Sequence, residues 1–103
     1  MFGKMKGELV VPPGAKTDPR SQELVRVWAA HGEQHVALRA DAWGEDAAAW
    51  GVMLADLARH LARAHQQKYS HPEAQTLARI RQLLEAEWEN PTDTPRGGFQ
   101  ANG

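Results

Sequence analysis

The chain has 103 residues, with 12 Lys+Arg against 13 Asp+Glu and no cysteine. A length near 100 residues fits one domain with a modest core. The balanced charge argues against nucleic acid as a partner, since a dedicated binder needs a basic field. The missing cysteines exclude disulfides, cysteine-ligated zinc and thiol nucleophiles.

No apolar run approaches the roughly 18 residues of a membrane span, so no membrane partner is expected. The opening "MFGKMKGELVV" lacks the apolar core and cleavage site of a signal peptide. A cytoplasmic location is the expectation. Residues 1–7 read as a flexible N-terminus in which either Met1 or Met5 could be the start. Residues 8–90 read as one globular domain, and 91–103 as a loosely ordered tail rich in Pro and Gly.

In chain order, "ELVV" at 8–11 is a short strand candidate stopped by Pro12, Pro13 and Gly14. "TDPRSQELVRVWAAHG" then reads as a helix. Asp18 is its N-cap, Pro19 its first residue and Gly32 its stop, with Leu24, Val27, Trp28 and His31 on one face. Past Gly32 the period changes. Val36, Leu38 and Ala40 alternate with His35, Ala37 and Arg39, the pattern of a half-buried strand at 34–39.

"GEDAAAWGVMLADLARHLARAHQQ" is the strongest helix, with Asp46 as its N-cap. Stepping about 100° per residue puts Trp50, Leu54, Leu57 and Leu61 on one stripe, expected to face the core. "SHPEAQTLARIRQLLEAEWEN" is the next helix, with Pro72 in its first turn and Leu77, Ile80, Leu84 and Trp88 as its core stripe. These elements predict an α+β fold of three main helices packed on a small two-stranded sheet, from 8–11 and 34–39.

Candidate chemistry is sparse. His31 and His35 have the four-residue spacing of a helical metal pair, but Gly32 interrupts and no third ligand follows, so no metal is expected. His60 and His65 diverge by about 140° on one helix. Asp56 and His60 could form the orienting half of an acid–base relay, but no nucleophile accompanies them. No cofactor is expected, and no catalytic residue is assigned. His35, Arg39 and Trp43 are the candidate ligand-binding patch, suited to a small molecule or an anion. Gly51, Ala55, Ala58 and Ala62 recur at helical spacing as a smooth strip on the long helix. A glycine inside a helix costs about 1 kcal/mol against alanine, so close approach of another backbone is the gain to look for. That backbone could belong to an intrachain helix or to a second copy.

"LVVPPGAKTDP", "ELVRVWAAHG", "HVALR", "AAWGVMLADLARHLARA" and "IRQLLEAEWENPTD" together resemble a family of small uncharacterised proteobacterial proteins of domain-of-unknown-function type. The resemblance spans residues 8–97 as an overall pattern, without a catalytic motif. It implies a single bacterial domain and transfers no activity, cofactor or site residue. The functional expectation is a small non-enzymatic interaction or regulatory protein, a homodimer with an unidentified protein partner as a further prospect. The alternative is a ligand-binding module built on the Trp/His/Arg patch.

Overall fold

A computed structural model describes residues 7–92 and 99–101 of the chain. The elements run α1 (Pro13–Thr17), β1 (Val25–Ala30), β2 (Glu33–Leu38), α2 (Ala48–Tyr69), α3 (Glu73–Glu89) and β3 (Phe99–Ala101). The α+β class holds, with three helices and an antiparallel strand pair.

The first third of the chain corrects three expectations. Residues 8–11 form no strand. Pro13, expected only to stop one, instead starts α1. Its missing N–H is among the orphan donors of any helix start. Asp18 is the C-cap of α1 rather than an N-cap. Its carboxylate accepts the Arg20 N–H at 2.8 Å, closing a local turn that competes with helix.

The expected helix over 18–31 is instead a loop followed by β1. Val25 and Val27 are β-branched and lose rotamer freedom in a helix, while they fit a pleated strand. The segment finds a partner two residues downstream. β1 and β2 pair antiparallel, with Val25 opposite Leu38, Val27 opposite Val36, Trp28 opposite His35 and Ala30 opposite Glu33. His31 and Gly32 connect them with φ of 54° and 72°. Two successive positive φ values make a type I′ turn, whose twist matches that of the strands. Gly32 therefore closes a hairpin, not a helix. A third strand, β3, runs parallel to β2 with Val36 in register with Phe99. Residues 93–98 and 102–103 of the tail expected to be loose lie outside the described residues, as do residues 1–6.

The two long helices stand close to where their periodicity put them. The N-cap of α2 is Ala47 rather than Asp46, whose carboxylate accepts the Ala48 N–H at 3.0 Å just ahead of the helix. At the other end Ser70 takes a left-handed conformation (φ 62°), and its N–H closes onto the Gln66 carbonyl at 2.8 Å. The chain then reverses through His71 and Pro72 into α3. An Arg63–Glu73 pair at 3.9 Å bridges the two helices.

Packing departs most from expectation. Among the described residues only Ala62, 2% exposed, is buried, on α2, the helix that packs against α3. Ala58, Thr76, Leu77 and Ile80 are half-buried. The stripe expected to form the core is open: Leu54, Leu57 and Leu61 are each about half exposed, and Trp88 is 75% exposed. Trp28 is half-buried on β1 rather than on a helix face. No Cα of α2 or α3 comes within 8 Å of a strand Cα. Among the described residues, helical hairpin and sheet thus make no close backbone approach to each other.

Candidate functional site

The loop between β2 and α2 lays Trp43 against the start of α2. Its indole meets that of Trp50 edge to face, with ring centroids 4.9 Å apart. Trp43 then overhangs a groove of about 490 Å³ lined by Ala49, Val52, Met53, Asp56, Leu57 and His60. At about 100° per residue, Ala49, Met53, Asp56 and His60 share one side of α2, roughly opposite Ala58 and Ala62. The groove therefore faces away from α3. Its walls are mostly apolar, with one carboxylate, Asp56, and one imidazole, His60.

Asp56 does not orient His60. Its carboxylate pairs with Arg59 at 3.7 Å, and both side chains are largely exposed. The acid–base pair considered in the sequence is two separate groups on one groove wall. Neither has a nucleophile beside it in the groove lining.

The proposed Trp/His/Arg patch does not form one lining. Trp43 belongs to the groove, where neither His35 nor Arg39 takes part. His35 is half-buried on β2 with Nε2 3.2 Å from the Ala30 carbonyl oxygen. Arg39 is held to the segment that leads into β1. Its backbone N–H donates to the Leu24 carbonyl at 2.9 Å, and its Nε donates to the Glu23 carbonyl at 3.3 Å. His31, expected at a helix end, sits in the hairpin turn.

The small-residue strip divides. Ala62 and Ala58 lie toward α3, while Ala55 is exposed and a Cβ added at Gly51 would meet nothing within 4 Å. Among the described residues, no group of three or more His, Cys, Asp or Glu is placed to hold a metal ion. No helix among them is long and apolar enough to cross a membrane.

One feature escaped sequence reasoning. Residues 65–71 gather three aromatic rings at the α2–α3 turn, with His65 5.3 Å from Tyr69 and Tyr69 stacked on His71 at 5.7 Å. The i, i+4 spacing of His65 and Tyr69 was the available signal.

None of the curated proteins compared matches the chain. Among solved structures it is similar to the "putative pyruvate dehydrogenase from the photosynthetic bacterium Rhodopseudomonas palustrus CGA009", at 30% identity and a TM-score of 0.69, over 95% of this chain and 97% of that one. The model of a domain of unknown function, DUF5076, matches residues 8–92, and the chain belongs to that family.

Proposed function

We propose that this protein is a non-enzymatic, self-associating interaction module whose stable unit is a homodimer. The observation that carries the reading is exposed apolar surface. The chain exposes 9176 Å², whereas a folded monomer of this size shows about 5,800 Å². Suppose every residue outside the described set is fully exposed, at about 160 Å² each. The remainder still exceeds that of a folded chain of its own length by roughly 1,700 Å². Obligate dimers bury about 1,000–2,500 Å² per partner. The excess falls in that range, and it carries the side chains such interfaces use: Leu54, Leu57, Leu61, Leu84 and Trp88.

A second copy suits this surface better than a dissimilar protein. The leucine stripe of α2 and the valine face of the strand pair are both apolar, and among the described residues helices and strands make no close backbone approach to each other. Two copies can supply each other with the missing layer under a two-fold axis. A chain without cysteine is at home in a reducing compartment, and the cytoplasm remains the proposed location.

Sedimentation equilibrium tests the reading. A dimer mass at tens of micromolar is expected, with cooperative unfolding whose midpoint rises with protein concentration. A monomer with concentration-independent, cooperative unfolding would overturn it. The Trp43 groove supports a second reading, because its volume lies in the range of small-molecule clefts and its lining is apolar with two polar groups. Met53→Arg separates the two. Loss of the dimer puts the groove in the interface, while a retained dimer leaves it open to an apolar ligand.

A further inference from the structure

The sheet ends in a strand edge that is built to meet itself. Among the described residues β1 has one strand neighbour, β2, and none on its other side. The Arg39 N–H donates to the Leu24 carbonyl, so Leu24 and Arg39 are a hydrogen-bonded pair. In an antiparallel ladder such pairs alternate. Arg26, Trp28 and Ala30 therefore direct their backbone groups inward to Ala37, His35 and Glu33. Val25, Val27 and Ala29 direct theirs outward, where no strand pairs with them among the described residues.

Soluble proteins protect such edges with Lys, Pro, bulges or short strands. β1 has six residues and no Pro or Lys. Its one charge, Arg26, is bound at 3.0 Å to Glu23 and at 3.3 Å to Glu8. Val27, at the middle of the open edge, is 55% exposed.

We infer that β1 pairs antiparallel with β1 of a second copy, with Val27 on the two-fold axis, so that two three-stranded sheets become one continuous sheet. The inference rests on the self-association reading and locates its axis. The outward groups of β1 are symmetric about Val27. Val27 pairs with its own equivalent, and Val25 with Ala29 of the other copy. Each pair exchanges two backbone hydrogen bonds. Side chains agree with this register. Arg26 falls opposite Trp28 of the other copy, so like charges never face each other and the guanidinium meets an indole. Val25, Val27, Val36 and Leu38 share one face of the hairpin by the observed register. Joining the edges doubles that apolar face into a floor wide enough for helices to cover.

A chain without cysteine allows a clean test by single-cysteine variants of the full protein. Across a hydrogen-bonded antiparallel pair the Cα atoms are about 5.5 Å apart, within the range a disulfide spans. Val27→Cys is expected to form a covalent dimer under mild oxidation. Ala29→Cys alone should not, since its equivalents are offset by four residues, roughly 13 Å along the strand. Mixing Val25→Cys with Ala29→Cys should restore a cross-linked heterodimer. Equal cross-linking of Val27→Cys and Ala29→Cys would overturn the register. A variant that sediments as a dimer yet fails to cross-link at residue 27 would overturn the edge pairing and leave self-association standing. A parent protein that sediments as a monomer would remove both.

Discussion

The indole of Trp43 stands edge-on to that of Trp50, with the planes at 76° and the centroids 4.9 Å apart. This T-shaped contact joins a loop residue to the first turn of α2 and fixes one wall of the groove. Such pairs contribute about 0.5–1.5 kcal/mol beyond their burial. Trp43 is 40% exposed, so Trp43→Ala should cost less than a full core truncation, about 1–3 kcal/mol. The indole–indole signal in circular dichroism should disappear in the same variant, and Trp43→Phe should keep most of the stability. An unchanged spectrum in Trp43→Ala would mean that the two rings do not meet in solution.

The hairpin turn depends on Gly32 for backbone reasons alone. Its φ is 72°, and an added Cβ would touch nothing within 4 Å. Gly32→Ala should therefore cost the left-handed penalty of an L-residue, about 1–2 kcal/mol, without any steric term. His31 already bears that strain at φ 54°. His31→Asn should be neutral or stabilising, because Asn-Gly is the favoured type I′ pair. Denaturant midpoints of the two variants should move in opposite directions, or that of His31→Asn stay put.

The same turn marks the boundary between what was legible in the amino-acid pattern and what was not. α2 and α3 were legible because their apolar periodicity runs for several turns and their ends carry Asp46 and Pro72. β2 was legible from alternation after Gly32. β1 was not, because Leu24, Val27, Trp28 and His31 also satisfy a helical period. Recognising it needed the pairing of Val25 with Leu38, which is non-local. The open leucine stripe was read as core because periodicity says which face is apolar, not which molecule covers it. The groove was half legible. Trp43 was singled out, but its neighbours come from the α2 side carrying Met53, Asp56 and His60 rather than from the strand carrying His35 and Arg39.

At the C-terminal end of α3, Glu87 accepts the Thr92 backbone N–H at 2.9 Å and its hydroxyl at 2.8 Å. The backbone bond first, then the hydroxyl bond, holds its carboxyl below the usual glutamate range. A depressed folded pKa favours the folded end of α3 above the unfolded glutamate value of about 4.3, and that contribution is lost as pH falls through the lower folded value. Titration of the Glu87 side chain by carbon-detected NMR should give a midpoint below the usual glutamate range. Loss of the Thr92 amide's downfield shift should follow the same acid limb. Glu87→Gln should remove the acid-side transition at Thr92. A Thr92 amide that is insensitive to acid in the parent would show that the contact does not form.

The small-residue strip of α2 makes two opposite demands along one helix. Ala62 is buried toward α3, so Ala62→Leu must push the helices apart, at about 1–3 kcal/mol for overpacking. About three turns toward the N-terminus, Gly51 has open space around it among the described residues. Gly51→Ala should then stabilise the helix by up to about 1 kcal/mol through propensity alone. The sign at Gly51 reports on the other copy. A gain in thermal stability, with the dimer retained by sedimentation, means that nothing approaches the backbone there. A loss at high protein concentration that vanishes on dilution means that the partner's backbone lies against Gly51, and that the glycine is what lets it approach. Either result should leave the Ala62→Leu penalty in place, because that side chain meets its own chain.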